Sequence, residues 1–230
     1  MTNNIEFTVG YLAESTEFLP LPRTPADPNK GLFGGNNTLT AQLEVRPADN
    51  LILRFLYTRT NLEPDSNGFV GGAVCEPLYD FADDGFGGPL ETVTADTFLF
   101  NFNWQPFSWL GLFGRYSYGR THLSPATAGL PDGDVNAQAL QIGVAFPDLF
   151  KEGAAANISY VRPFAILDGR DFLISGGGDG GVQQEIEVTY RYPVNDHIAI
   201  VPSFYWIDNA NNFSSNPDIF VFNLQTQFSF

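Results

Sequence analysis

The sequence predicts an all-β chain, an antiparallel up-and-down transmembrane β-barrel with about ten strands in this chain. Three observations predict it. Apolar and polar residues alternate with period two in segment after segment. That is the pattern of a strand with one face in hydrocarbon and the other in water. Connections between those segments alternate short and long, as an up-and-down meander with different environments at its two ends requires. Aromatics make up 15% of the residues, led by 22 Phe, yet no window nears the run of about twenty apolar residues that a membrane helix needs. With 230 residues the chain suffices for one large all-β unit.

The first strand sets Ile5, Phe7, Val9 and Tyr11 against Glu6, Thr8, Gly10 and Leu12. A loop from Ala13 to Gly35 follows, in which Pro20, Pro22, Pro25 and Pro28 forbid a central strand. Strand two puts Leu39, Ala41, Leu43 and Val45 on one face, and the turn Arg46–Asn50 leads into strand three with Leu51, Leu53, Phe55 and Tyr57. The longest irregular stretch then runs from Asn61 to about Val93 and is rich in Gly and acids. Strand four is the sharpest, with Phe98, Phe100, Phe102 and Trp104 against Leu99, Asn101, Asn103 and Gln105. Strand five is phased with Leu110, Leu112, Gly114, Tyr116 and Tyr118 on the apolar face, which keeps Arg115 off it but leaves Phe113 on the polar side. After a loop over Thr121–Asp134, strand six offers Leu140, Ile142, Val144 and Phe146, and strand seven Ala156, Ile158 and Tyr160. A Gly-rich loop, Pro163–Gly181, precedes strand eight with Ile186, Val188, Tyr190 and Tyr192. Strand nine carries Ile198, Ile200, Pro202, Phe204 and Trp206, where Pro202 must cost a ladder bond or mark a bulge. After the loop Asp208–Pro217 the last strand alternates Phe220, Phe222, Leu224, Thr226, Phe228 and Phe230 with Val221, Asn223, Gln225, Gln227 and Ser229.

This order places all short turns, and both termini, at one end and all long loops at the other. Aromatics gather near both strand ends, as two interfacial girdles do: Tyr11, Tyr57, Tyr118, Tyr160 and Trp206 toward the loops, Trp104, Phe146, Tyr192 and Phe230 toward the turns. The strand acids Glu6, Glu44, Glu185 and Glu187 and the strand bases Arg46, Arg54, Arg115 and Arg191 all take the polar phase. With Asn101, Asn103, Gln141, Asn223 and Gln225 they are the expected lining of a water-filled pore. The mixed signs suit neutral solutes, while the many acids of the long loops make for a negative mouth.

Composition narrows the other classes. A net charge of −15 with two lysines argues against nucleic acid, whose phosphates call for basic groups. The single cysteine, Cys75, excludes an internal disulfide, and it cannot share a site with His122 or His197, which fall at opposite ends. No nucleophile–base set or metal cluster follows, so neither an enzyme nor a cofactor is expected. The runner-up is a soluble carbohydrate- or calcium-binding β-sandwich, with oxygen ligands from Pro131–Asn136 and Asp80 to Asp84, though neither stretch has the EF-hand spacing.

Framework motifs add a family. Gly10-Tyr-Leu-Ala13, Gly31-Leu-Phe-Gly-Gly-Asn36, Ala41-Gln-Leu-Glu-Val-Arg-Pro-Ala-Asp-Asn50, Ala145-Phe-Pro-Asp-Leu149, Ile200-Val-Pro202 and Phe228-Ser-Phe230 resemble the carbohydrate-selective porins of the OprB type. The resemblance is strongest to the branch of photosynthetic bacteria that carries a surface-layer-homology domain. It implies a sixteen-stranded, usually trimeric barrel in the bacterial outer membrane, in contact with its lipid, that passes sugars, other small hydrophilic solutes or inorganic ions including iron. Because about ten strands and no signal segment are read here, residues 1–230 are expected to be one partial barrel domain, the C-terminal part of such a porin.

Overall fold

Ten strands form because ten stretches can offer one apolar and one polar face to different surroundings. The computed structural model describes residues 4–13, 35–62, 90–172 and 178–229. The strands are β1 (Ile5–Ala13), β2 (Asn37–Ala48), β3 (Leu51–Leu62), β4 (Leu90–Phe107), β5 (Leu110–Pro125), β6 (Gly133–Pro147), β7 (Ala155–Asp168), β8 (Gln184–Asn195), β9 (Ile198–Asp208) and β10 (Ile219–Phe228). They pair in sequence order, each antiparallel to the next, in one ten-stranded sheet. Two short 3-10 turns, Arg170–Phe172 and Ala210–Asn212, are the helical elements among the described residues.

The expected up-and-down all-β architecture is therefore present, with one correction. The sheet is not closed: β1 pairs only with β2 and β10 only with β9, so both edge strands keep a row of unpaired backbone groups among the described residues. The sandwich alternative is also set aside. A sandwich needs a second sheet over the apolar face, and here Phe7, Phe98 and Phe222 are 67%, 56% and 80% exposed.

The phases read from the alternation hold across the sheet. One register row runs Phe7, Leu43, Phe55, Phe100, Tyr116, Leu140 on the apolar face. Its counterpart on the polar face runs Glu6, Glu44, Arg54, Asn101, Arg115, Gln141, Val161, Glu185. Phe113, out of place on the polar face, lies over Gly143, where an added Cβ would stand 2.3 Å from its Cζ. Phe102 lies over Gly114 in the same way on the apolar face. In each case a glycine gives an aromatic ring the room to lie flat on the neighbouring strand.

The central strands are taller than the alternation suggested. β4 has 18 residues, β5 16, β6 15 and β7 14, against 9 to 12 elsewhere. The expected loop over Thr121–Asp134 shrinks to residues 126–132, and β7 continues through Pro163 to Asp168. In this upper wall the polarity of the faces inverts. Leu62, Val93, Leu123 and Val135 take the formerly polar phase, Ile166 joins their face across a register shift in β7, and they form a buried cluster with Leu90 and Phe164, against which Ala137 and Phe172 pack. Arg59, Asp96, Arg120, His122 and Asp134 take the formerly apolar phase. Above the level of the tyrosines, water is outside and the dry interior is inside, as in an ordinary soluble sheet.

Pro202 is resolved as well. It stays in register opposite Leu224, while toward β8 the ladder pairs Thr189 with Ser203 and Tyr192 with Ile200 and lapses at the two positions between. The missing N–H costs ladder bonds and makes no bulge. Residues 63–89, which include Cys75 and Asp80 to Asp84, and Phe230 lie outside the described residues.

Candidate functional site

The polar face of the sheet is the candidate site, and the apolar face fixes its setting. Along the loop-side edge of the apolar face, ring donors reach to polar side chains at the next level. Tyr57 Oη donates to Asp96 Oδ1 (2.6 Å), Tyr118 to Asn136 Oδ1 (2.9 Å), Tyr160 to Gln184 Oε1 (2.7 Å), Trp206 Nε1 to Asp218 Oδ2 (3.2 Å) and, one level lower in the mid-height row, Tyr116 to Gln138 Oε1 (3.1 Å). Apolar ring below, bonded polar tip above, is how aromatics sit at a membrane–water boundary. Just beyond them Arg59 Nη1 donates to both carboxylate oxygens of Asp96, Arg120 is bidentate on Asp134, and Arg162 Nε donates to the Tyr160 hydroxyl at 2.8 Å. These charges share the apolar phase but stand above the tyrosine level, not at mid-height. At the turn side, Trp104 and Tyr192 are exposed, Lys151 Nζ stands 4.6 Å from the Tyr192 ring centre, and Phe107 stacks on Trp109 at 5.5 Å.

On the polar face three of the expected lining residues meet directly. Glu44 Oε1 accepts from Arg46 Nε and Oε2 from Arg54 Nε, both at 2.7 Å. Glu44 is buried under the two guanidinium groups. Register carries the row on from Arg54 to Asn101, Arg115 and Gln141. Asn103 Nδ2 donates to Asn101 Oδ1 at 3.1 Å, and Gln141 reaches Ser159 at 3.5 Å. Glu185 and Glu187 lie three strands from Arg115, on β8, where Glu187 is in register with Tyr205. Arg191 sits near the turn side, donating to the Gly153 carbonyl (2.9 Å) and to Gln227 Oε1 (3.4 Å). Asn223 and Gln225 are exposed on the edge strand β10, opposite Ser203 and Val201.

Two further features lie beyond the expected lining residues. Asn157 and Ser159 on β7 join Thr189 and Gln141 in polar contacts on the same face. Two long loops are also clasped together at the loop end. Asp179 Oδ1 accepts the N–H groups of Gly181 (3.0 Å) and Ser214 (2.8 Å), and its Oδ2 the Ser214 hydroxyl (2.9 Å). The Ser214 N–H above all, then that of Gly181, holds this carboxyl below the usual aspartate range. Asn209, Asn211 and Asn212 all have positive φ, and the buried Asn212 Oδ1 accepts the Gln183 N–H at 2.9 Å. The run Asp208-Asn-Ala-Asn-Asn212 was the available signal, since Asn tolerates left-handed backbone and caps its own turns. Near Pro131–Asn136, both oxygens of Asp134 are occupied by Arg120, with His122 Nδ1 at 3.0 Å. No group of three or more metal-ligating side chains occurs among the described residues.

A single sheet with an exposed apolar face, aromatics at both of its borders and a charged, amide-rich opposite face has the pattern of a membrane-embedded β-wall. The family model of the carbohydrate-selective porins, OprB family, matches residues 5–230. The chain belongs to the OprB family. Two cyanobacterial relatives extend that placement. An uncharacterized protein of a Nostoc species is 27% identical over 233 residues, covering 97% of this chain and 36% of its own length. An uncharacterized protein of a Synechocystis species is 27% identical over 242 residues, covering 100% and 42%. The chain thus spans about two fifths of the length of these relatives. No solved structure matches. The motifs quoted from the sequence therefore pointed to the right family, one of outer-membrane channels.

Proposed function

We propose that this chain forms part of the wall of an outer-membrane pore through which small hydrophilic solutes, sugars foremost and inorganic ions besides, pass by passive, weakly selective diffusion. One observation carries the reading. A single sheet exposes Phe-rich surface on one side, bordered by bonded tyrosines, and a row of Glu, Arg, Asn and Gln on the other. A monomer in water would not leave so large an apolar face bare, whereas a lipid-embedded wall requires it.

On this reading Glu44, Arg46, Arg54, Asn101, Asn103, Arg115, Gln141, Glu185, Glu187, Arg191, Asn223 and Gln225 line the lumen. The family's carbohydrate selectivity supports a sugar as solute. Planar amides and charged forks offer hydroxyl groups both donors and acceptors without a dry, tight pocket, which suits entry and release. The unpaired edges of β1 and β10 support a larger barrel domain in which further strands, and by the family resemblance two further subunits, complete the assembly.

The test is stepwise conductance of the purified protein in planar bilayers. Ohmic steps, with liposome swelling in small sugars, are expected. A protein that inserts, shows heat-modifiable gel mobility and conducts nothing sinks the proposal.

A further inference from the structure

The arginines of the polar face are not equivalent. Arg46 and Arg54 are committed to Glu44, and Arg191 to the Gly153 carbonyl and Gln227. Arg115 is exposed and has no hydrogen bond or ion pair with any described residue. It stands in register between Asn101 on β4 and Gln141 on β6, with Arg54 two strands away, roughly 10 Å at the usual strand spacing. Asn101 gives its carbonyl oxygen to Asn103, so its own amide N–H groups have no protein acceptor among the described residues. Free donors thus adjoin a free cation.

Charge around the row is lopsided. From the level of Ile52–Asn103–Phe113–Gly143 to that of Thr58–Thr97–Gly119–Ala137, the polar face of β3 to β6 carries no carboxylate. The one acid on β2, Glu44, is shared by two guanidinium groups. Glu6 on β1 and Glu185 and Glu187 on β8 flank this stretch at a distance.

Resting on the pore reading above, we infer that Arg115, flanked by Asn101 and Gln141, is the specificity-determining residue of the wall and binds the oxyanion of passing solutes. The solutes it favours are small anions, carboxylate-bearing sugars among them, in a chain whose net charge is −15. A guanidinium fork matches a carboxylate in shape and charge. Its exposure keeps the contact weak enough for release.

The zero-current potential of the purified protein under a KCl gradient reads the preference directly. Chloride is expected to be the more permeant ion. Arg115→Gln is expected to lower the chloride-to-potassium permeability ratio by about two- to threefold, as removal of one lining charge does. Arg115→Lys restores it, and Arg59→Gln on the outward face leaves it alone. Potassium glucuronate is expected to block wild-type current where equimolar glucose does not, a reading that needs no variant. Channels of normal conductance that prefer potassium, or a ratio unmoved by Arg115→Gln, overturn the inference and leave the pore reading standing. Absence of any wild-type conductance overturns both.

Discussion

The ring of Phe113 fills the space a side chain would need at Gly143: a Cβ there would stand 2.3 Å from Phe113 Cζ and 2.8 Å from the Ile158 carbonyl oxygen. The second contact is with backbone, which cannot swing aside. Gly143→Ala is therefore expected to destabilise the folded sheet by about 1–3 kcal/mol, measured as a lower urea midpoint in lipid vesicles. Pairing it with Phe113→Ala should recover part of that loss. An unshifted midpoint in the single variant would show that the ring does not rest there.

Phe100 and Leu99 are neighbours of similar hydropathy on opposite faces. Phe100, its ring tilted against that of Phe55 with centres 5.1 Å apart, lies at mid-height on the apolar face. Phe100→Arg is expected to cost about 2–4 kcal/mol of stability in vesicles, the range for arginine near the bilayer midplane. Leu99→Arg faces water and should cost far less. Equal losses would contradict the assignment of faces.

Glu44 balances Arg46 and Arg54. Glu44→Gln leaves two guanidinium groups side by side with no acid between them, so the variant should melt at lower temperature. The same charge change should raise the chloride-to-potassium permeability ratio by about twofold, measured by zero-current potential. A ratio that falls would place Glu44 outside the conducting path.

Asp179 predicts an acid-sensitive mouth. Its folded carboxyl titrates below the unfolded value, so its contribution is full above the ordinary aspartate range, near pH 4, and is lost as pH falls through the lowered folded value. Pepsin cleavage at the exposed Phe213 should therefore accelerate as pH falls below about 4. In Asp179→Asn, which keeps the shape but weakens both backbone bonds, cleavage should already be fast above that range. Identical profiles in the two proteins would remove Asp179 from the clasp.

The phases of the strands could be read from alternation because, between the two aromatic borders, only side-chain polarity separates the faces. Every residue from Phe7 through Leu140 in the mid-height apolar row fell where its period placed it. Strand ends were illegible for the converse reason. Above Tyr57, Phe98 and Tyr118 the environment inverts, so Leu90–Val93 reads as the end of a loop although it is strand. The three-way contact of Glu44 was also out of reach, since it depends on the β2–β3 register, which the Arg46–Asn50 turn fixes. Single charges revealed their face, but not which of them would remain unneutralised.

The uneven strand heights shape the approach to the mouth. With β4 twice the length of β1, at about 3.4 Å per residue, the described rim is slanted and rises like a parapet along β4 to β7. Along that height the outward face of the described rim carries the ion pairs Arg59–Asp96 and Arg120–Asp134. On the pore reading proposed above, the low shoulder at β1 is where the described wall puts the fewest charges in an incoming solute's way.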